Sequence, residues 1–575
     1  MSGLAGRPTY DGAVSIPGQL QHARQLILAA KEEAAKDVLL AALPEIERAQ
    51  RDEDALEAFA LLGELYLNRT AYDGTEECLR RIDDTLAGYA QAPPGSDADR
   101  MVRRYRMRAQ FLRVGLAAAH GEHEQAALEL AILQDDEGGQ RFPELAADQQ
   151  HLATLAGVLC ATALADDDLH ARAAALWRNV IPVIDQLAEP SDAVDQVLVA
   201  GGLAYGRFCV ETGRLAEGEQ WLQRAGARAQ RRDWTLYCAR AELEKAAASW
   251  IRGDHQSTER LVGGAYPALA EGNRAHDVSR SWLYFGLTRL GVGMVDAADE
   301  SWSHAERHWR EINKPLHIHR ILVQRSWISV FRGRFAEAVE LVAQARELLD
   351  QWPRSSWLQY ARLDDHLGNI WRADALADMG FDGISEPTDD YRATEARQAA
   401  SLGVTHVEPG SPAHRSAMAK LERAAELKIP AALAVDSVRY SMRDAESRWR
   451  WGAHVSGRML AGAFSVAWEW ENTELLGELI EYHSARGTFA HEPLDEASTW
   501  DGGVATTVVA DTAAEEALAA AGDSVDGLTL TTLGPLPSLQ MDPAGGAVLE
   551  RYRQLAQSRY GQVVTSDGPV WTTWP

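Results

Sequence analysis

The sequence predicts an all-α protein in which paired helices stack side by side into a solenoid, or superhelix. Three observations carry this prediction. Small residues recur every 40 positions between residues 201 and 350, apolar residues recur at helical intervals along most of the chain, and hydrophobic residues make up 46% of the 575 residues. Because a solenoid grows by adding hairpins to one continuous core, a chain of this length does not require several separate domains.

The 40-residue period is marked by a glycine that opens the second helix of each hairpin. Columns of small residues lie seven positions before, five after and twelve after this glycine. Small side chains at these offsets let two antiparallel helices approach each other closely, which predicts tightly packed hairpins. The columns are Gly213, Gly253, Gly293 and Gly333; Gly206, Ala246, Gly286 and Ser326; Gly218, Thr258, Ala298 and Ala338; and Ala225, Ala265, Ala305 and Ala345.

This spacing resembles that of the tetratricopeptide repeat (TPR) family. Large apolar residues stand where that family keeps a bulky side chain in the second helix, namely Leu222, Val262, Trp302 and Val342. The family's unit is shorter by about six residues, so we expect each helix here to be lengthened by a turn. The resemblance implies a TPR-like helical-hairpin solenoid and says little about activity.

The pattern along the chain predicts five segments. Helical periodicity begins near Gln19, and Pro- and Gly-containing stretches interrupt it at intervals. Residues 488–532 are rich in Ala, Thr, Asp and Gly, which is typical of a mobile linker. The segments are a flexible N-terminal lead at 1–17, a TPR-like solenoid at 18–380, a further helical region at 381–487 that closes the array, the linker at 488–532, and a C-terminal helix-strand module at 533–575.

Composition excludes several classes of function. The net charge of −27 disfavours nucleic acid as a partner, because phosphates require a basic surface. The first residues, MSGLAGRPTYDG, do not resemble a signal peptide, and no stretch approaches 18 uninterrupted apolar residues. The cysteines have no CxxC spacing and lie in apolar helical runs, as in a reducing compartment. We therefore expect a cytoplasmic protein that does not cross a membrane. The four cysteines are Cys78, Cys160, Cys209 and Cys238.

Residue patterns that could support catalysis or a cofactor are weak. The glycine-rich run at 201–207 lacks the lysine of a phosphate-binding loop and lies inside a predicted helix. Glu300, His304 and His308 follow one another at four-residue intervals on one helix, but three ligands from one straight helix rarely surround an ion. Several of the 18 tryptophans fall inside the repeats, where filling the seam between helices is favoured over a ligand cage. We predict no metal and no cofactor.

A column of arginines is a candidate partner-binding site. Two residues into each first helix, the 40-residue register places Arg240, Arg280 and Arg320. This position resembles those that line the concave groove of TPR arrays, where stacked guanidinium groups could bind the carboxylates of an acidic peptide. Alternatively, each arginine pairs with an acidic residue of its own solenoid and ties neighbouring repeats together. The second interpretation is favoured, because an acidic protein supplies many internal partners.

The C-terminal third suggests a second resemblance. Residues 439–489, the motif LGPLP and a helix that ends at Tyr560 are together similar to the region that joins TPR arrays to the peptidase domain in actinobacterial CHAT proteins, which are caspase-like cysteine peptidases. The resemblance implies that a domain with a His-Gly motif and an Ala-Cys nucleophile loop should follow. No position of this sequence matches those catalytic residues, so we expect no enzyme activity.

Two functions follow from these patterns. The first is a non-catalytic scaffold or sensor that regulates a CHAT-type peptidase supplied in trans, in a bacterial defence or cell-death system. The alternative is a general TPR adaptor that binds a peptide in transcriptional or signalling control. Val564, Val570 and Trp571 lie in a β-type segment that has no other predicted strand to pair with, so we expect it to add to a partner's sheet. The other outcome is that this segment folds back on its own solenoid.

Overall fold

The computed structural model describes residues 15–135, 141–167, 169–187, 191–272, 274–311, 313–353, 355–380, 407–441, 451–485, 537–540 and 546–572. Within these ranges the chain forms the predicted all-α solenoid of antiparallel hairpins. The helices that precede the regular repeats are α1 (Ile16–Leu28), α2 (Glu32–Arg48), α3 (Asp52–Asn68), α4 (Tyr72–Ala87), α5 (Asp97–Ala119), α6 (His123–Asp135), α7 (Ala146–Asp166) and α8 (His170–Gln186). The solenoid thus begins two residues before its predicted boundary.

The regular repeats and the C-terminal unit follow. The repeats are α9 (Asp192–Glu211), α10 (Leu215–Arg231), α11 (Thr235–Ile251), α12 (His255–Glu271), α13 (Ala275–Gly291), α14 (Val295–Glu311), α15 (Pro315–Phe331) and α16 (Phe335–Gln351). The C-terminal unit contains α17 (Trp357–Asp378), α18 (Pro412–Ser437), α19 (Gly457–Glu469), α20 (Thr473–Ala485), α21 (Glu550–Tyr560), β1 (Pro537–Gln540) and β2 (Ser566–Thr572). The predicted linker at 488–532 lies outside the described residues.

The 40-residue period arises from helices of constant length. Each helix from α10 to α16 has 17 residues, and successive helices are separated by turns of three residues. The turn inside each hairpin contains the repeated glycine, for example Gly253 with φ 78° and Gly333 with φ 67°. These are left-handed conformations that cost a side chain with Cβ about 1 kcal/mol or more, which explains the glycine column.

The small columns lie where the two helices of a hairpin touch, as the sequence predicts. A Cβ atom added to Gly286 in α13 would lie 2.2 Å from Nε1 of Trp302 in α14, and one added to Gly206 would lie 2.7 Å from the Leu222 side chain. Trp302 and Ala298 are fully buried. Each small residue of one helix thus makes room for a bulky residue of its partner helix.

Superhelical winding brings the N-terminal hairpins against the middle of the array. Leu28, at the end of α1, belongs to the same hydrophobic core as α9 to α16. Arg274, in the turn before α13, donates from Nη1 to the backbone oxygen of Asn68 at 2.8 Å and also pairs with Glu32. Because Arg274 and Glu32 are both buried, this contact fixes one turn of the superhelix on the next.

The C-terminal unit packs around α18, which lies along α17 and also contacts α19 and α21. Lys428 of α18 is buried in this unit, and its Nζ donates to Oδ1 of Asp365 at 2.6 Å and to Oδ1 of Asn369 at 2.8 Å. Gly368 and Gly462 leave the space that the lysine stem fills, since a Cβ at either position would lie within 3.0 Å of it. The Lys428 side chain therefore fits in the space beside Gly368 of α17 and Gly462 of α19, and its ammonium group joins α18 to α17.

The segment after α20 differs from its prediction in one respect. β2 pairs in parallel with β1, so the expectation that it has no other strand to pair with was wrong. The sequence did not indicate β1 because one proline precedes it, at position 535, and a second begins it, at position 537, and prolines usually argue against a strand. Pro537 is the first residue of β1, a position at which a strand tolerates proline.

The helix of the C-terminal module packs on its own chain. Tyr552, Ala556 and Tyr560 of α21 are buried, and the hydroxyl of Tyr560 donates to Oδ2 of Asp364 in α17 at 2.6 Å. Nη1 of Arg559 donates to the backbone oxygen of Glu426 in α18 at 2.6 Å. The apolar stripe of α21 is therefore used within the protein.

Candidate functional site

The arginine column lies on a face formed by the first helices of successive hairpins. The helices begin earlier than predicted, so Arg240, Arg280 and Arg320 stand at the sixth position of α11, α13 and α15 rather than at the second. We call the charged side chains that α9, α11 and α13 contribute here the first-helix face. Its members are Arg207, Glu211, Arg240, Glu244, Asp277 and Arg280.

Two of the three arginines are paired across neighbouring helices. Nε of Arg240 in α11 donates to Oδ2 of Asp277 in α13 at 2.7 Å. Arg280 in α13 donates to both carboxylate oxygens of Glu244 in α11, with 2.8 Å between Nη2 and Oε2. The two ion pairs run in opposite directions between the same two helices. They therefore tie one repeat to the next, which is the structural role that the sequence left open.

The first-helix face also includes an arginine of α9, Arg207, which is not part of the predicted column. Arg207 donates to Oδ1 of Asp166 in α7 at 2.6 Å and to Oε1 of Glu211 at 2.7 Å. Burial alone would raise the pKa of the Glu211 carboxyl, but the charge of Arg207 and a hydrogen bond with His170 hold that pKa below its usual range. Burial likewise opposes ionisation of Asp277, and Arg240 and Arg280 outweigh it, so its pKa is also lowered. The carboxylates are stabilised as anions by internal partners.

Arg320 occupies the next position of the column and lies near His317. Burial lowers the pKa of His317 well below its usual value, and the charges of Arg320 and Arg207 lower it further. Arg320 also has an interaction within the protein. The role of the column in binding an acidic peptide stays a prediction, and such a peptide would have to compete with the carboxylates already present.

The candidate metal ligands have separate environments. His304 stacks on Trp282 with 4.9 Å between ring centroids, whereas Nε2 of His308 lies 2.9 Å from Nδ1 of His276. Burial and the neighbouring His308 lower the pKa of His276 to about 4. Among the residues that the structure describes, no three His, Cys, Asp or Glu side chains gather at metal-binding distance. Although Glu300, His304 and His308 follow one another at helical intervals, their side chains therefore do not come together around one metal position.

A buried histidine joins α15 to α17. Nε2 of His366 lies 2.6 Å from Oγ of Ser326, which is fully buried. Burial lowers the pKa of His366 to about 3. Because neither group reaches solvent, the pair fastens two helices and does not present a nucleophile.

These histidines predict an acid-sensitive fold. His276 and His366 stay neutral in the folded protein down to about pH 4, whereas an unfolded chain binds their protons below about pH 6.5. The unfolded state thus carries more protons between these values, and stability falls as the pH falls through this window. At pH 5 each group should lower the free energy of unfolding by up to about 2 kcal/mol relative to pH 7.

Urea denaturation at pH 7 and pH 5 measures this dependence. The double variant His276→Gln, His366→Gln should lose much of the difference between the two pH values, whatever its stability at pH 7. An unchanged difference in the double variant would show that other groups cause the acid sensitivity.

The cysteines are structural. Burial raises the pKa of the Cys78 and Cys160 thiols to about 12, so both remain protonated at neutral pH. Cys209 is fully buried and Cys238 partly so. Since the thiolate is the nucleophilic form, these environments are unlike those of catalytic cysteines.

The predicted C-terminal contact residues differ in their placement. Val564 is 4% exposed and packs in the core of the C-terminal unit, so it is available to a partner only if that core opens. Val570 and Trp571 lie in β2, and Trp571 is in register with Leu539 of β1. Docking of these three residues on a partner's sheet is untested and stays a prediction.

Sequence reasoning missed two of the three exposed large apolar side chains described in the C-terminal unit, Trp468 and Ile480; the third, Val563, lies at the start of the predicted β-type segment. Trp468 at the end of α19 is 73% exposed, Ile480 in α20 is 53% exposed, and Val563 after α21 is 50% exposed. Next to them in sequence, Gly477 of α20 has open space where a Cβ would stand. The acidic side chains of Glu469, Glu471, Glu474, Glu478 and Glu481 belong to the same hairpin. The composition around Trp468 is apolar, as in a core helix, so the sequence alone gives no sign of its exposure.

Comparisons with known proteins give matches to solved structures of low overall similarity. No family model matches the chain, and no curated protein matches its sequence. A Rap protein complexed with competence and sporulation factor has 10% identity over 82% of this chain and 99% of its own, with a TM-score of 0.35. The apo form of RapI has 10% identity over 82% and 98%, with a TM-score of 0.27. The APC/C hetero-tetramer Cut9-Hcn1 has 13% identity over 70% and 92%, with a TM-score of 0.25.

These solved structures are TPR-like helical repeat proteins. At such TM-scores they do not indicate what this chain binds. Within the described ranges, no helix combines the length and the apolar character that a bilayer crossing requires.

Proposed function

We propose that this chain is a non-catalytic scaffold that binds protein partners, and that its partner is a CHAT-type caspase-like peptidase supplied by a separate chain in a bacterial defence or cell-death system. The repeat architecture supports the scaffold role, because stacked hairpins offer extended surfaces for binding. The resemblance of residues 439–489 and of the C-terminal helix to the region that precedes CHAT domains supports the partner class.

The exposed Trp468 is the observation that carries the partner-binding role. Large aromatic side chains dominate binding energy at interfaces, and a tryptophan that is 73% exposed leaves most of its apolar surface in water. Ile480 and Val563 extend the apolar character of the C-terminal unit. The acidic residues of the α19–α20 hairpin favour a partner whose apolar contact surface has a basic rim.

The two-stranded sheet of the C-terminal unit offers a second kind of contact to a partner. A sheet of two strands is marginal on its own, and each strand of β1–β2 has one edge outside their shared ladder. Such edges accept a further strand, and a caspase-like domain is built on a sheet. Docking on such an edge would extend the sheet into the partner.

Binding to a purified CHAT-type peptidase tests this function. Trp468→Ala is expected to weaken the complex by about 2 kcal/mol or more, since tryptophan anchors often carry such energies. Thermal unfolding of the free scaffold should stay close to that of the parent, because the side chain is exposed. Isothermal titration with the catalytically inactivated peptidase measures the affinity.

Leu40→Ala is the matched control. Leu40 lies in α2 at the other end of the chain and is also an exposed large apolar side chain. The peptidase should bind this variant with parental affinity. Absence of any complex with the parent chain, or equal affinity for the Trp468→Ala and parent proteins, would contradict the proposed function.

A further inference from the structure

A groove opens between the second helices of two neighbouring hairpins in the first third of the chain. It has a volume of about 840 Å³ and lies between α4 and α6, with α5 as its floor. Residues 103 to 113 of α5 line it, which corresponds to a length of about 15 Å at the rise of an α-helix. A groove of this length accommodates about three turns of a further helix.

The α6 wall of the groove is apolar on a side that nothing described covers. Ala126, Leu130 and Leu133 of α6 are buried against the solenoid. Leu128 and Ile132, one helical turn apart, are 55% and 50% exposed and line the groove. A helix with apolar side chains on two sides is typical of a buried element. The side of α6 that carries Leu128 and Ile132 therefore indicates a surface that a further element covers.

Three arginines of α5 and two aspartates line the groove. Arg103, Arg106 and Arg113 line it along one side of α5, against Asp83 and Asp135. Nε of Arg103 lies 3.4 Å from Oδ1 of Asp99, and Arg113 forms two hydrogen bonds with Asp83, at 2.8 and 2.7 Å. The exposed Arg106, in contrast, has no ion-pair or hydrogen-bond partner within the described ranges. A guanidinium that has no partner among the described residues and lies beside an apolar wall stands out in a protein with a net charge of −27.

We infer that this groove binds an acidic amphipathic helix of a partner protein. Apolar side chains on one face of that helix would pack on Leu128 and Ile132, as in other helix-in-groove complexes. A carboxylate beside that apolar face would pair with Arg106, whose planar fork binds carboxylates in a bidentate manner. The length of the groove favours an elongated helix over a compact ligand. The site is separate from the C-terminal unit and does not depend on the partner class proposed above.

A pair of synthetic peptides tests the site on the full-length protein. The first is a fluorescein-labelled 14-residue amphipathic helix with leucines at positions i, i+3, i+4 and i+7 and glutamates at the flanking positions. The second carries lysines in place of the glutamates. Fluorescence anisotropy should show binding of the acidic peptide and about tenfold or more weaker binding of the basic one.

Arg106→Glu should weaken binding of the acidic peptide about tenfold or more and reverse the preference between the peptides. Ile132→Ser should weaken binding of the acidic peptide through loss of the apolar contact. Arg231→Glu is the control, since Arg231 is an exposed arginine of α10 outside the groove, and it should leave binding unchanged. All three positions are exposed, so the variants are expected to fold.

Three results would overturn the inference. They are the absence of binding of the acidic peptide, an affinity that does not change in Arg106→Glu, and equal affinity for the two peptides. Light scattering adds a fourth. If the parent chain is a dimer and Ile132→Ser dissociates it, the groove binds a second copy of the chain.

Discussion

Replacing Arg280 by glutamine is expected to lower the free energy of unfolding by about 3 kcal/mol, because it removes one partner of a buried ion pair. The Arg280 and Glu244 side chains are only 14% and 8% exposed, and the arginine donates to both carboxylate oxygens. Glutamine cannot supply the positive charge or the second bond, so Glu244 would remain buried without its counter-charge. Urea denaturation followed by far-ultraviolet circular dichroism measures the loss.

Two further variants distinguish the loss of the buried ion pair from a general effect of removing any arginine on the free energy of unfolding. Arg231→Gln removes an exposed arginine and should change stability little. In the double variant Glu244→Gln, Arg280→Gln neither charge is left unpaired, so the double variant should be more stable than Arg280→Gln alone. Parental stability of Arg280→Gln together with weaker binding of an acidic peptide would instead favour a partner-binding role for the column.

The periodic part of the fold could be predicted from the sequence because its constraints are local. A three-residue turn between 17-residue helices requires a left-handed residue, which only a few residue types tolerate, and this requirement marks every repeat with a glycine such as Gly253. Close contact of two helices within a hairpin likewise requires a small residue at a fixed offset, such as Ala298. Both signals lie within 40 residues and repeat four times, so a single sequence reveals them.

The partners of the arginine column could not be predicted in the same way. Glu244 and Asp277 are two of 84 acidic residues, and nothing in their immediate sequence distinguishes them from exposed ones. Their burial depends on how neighbouring repeats rotate relative to each other, which small-residue spacing does not specify. The contact between Arg274 and Glu32 joins residues 242 positions apart and depends on superhelical winding, so it has no local signal at all.

The C-terminal unit shows where pattern reasoning fails for a different reason. The end of the helix of residues 550–560 was predicted at Tyr560, as found, and the surface that covers the helix is the protein's own α18. The apolar residues of this helix would suit packing on the protein's own helices or on another protein. Val564, one of the predicted contact residues, is buried, whereas Trp468, which no sequence pattern singled out, is exposed.

A leucine in place of Gly286 is expected to lower the free energy of unfolding by about 3 kcal/mol or more, because overpacking a close helix contact forces side chains and backbone to shift. The first added atom, Cβ, would already lie 2.2 Å from Nε1 of Trp302. That nitrogen donates to the backbone oxygen of Leu283 at 3.1 Å, and the ring is fully buried, so it has no free space into which to move. Displacing the ring would also break this hydrogen bond in a dry environment.

Gly264→Leu provides the matched control, since Gly264 is an exposed glycine inside α12 whose Cβ position has nothing within 4 Å. Leucine there removes the conformational freedom of glycine and should leave stability unchanged or raise it by up to about 1 kcal/mol. Thermal unfolding of both variants under the same conditions compares a close contact with an open one for the same substitution. Equal melting temperatures would mean that the hairpins do not pack as closely as the small columns predict, and that the register of the repeats is wrong.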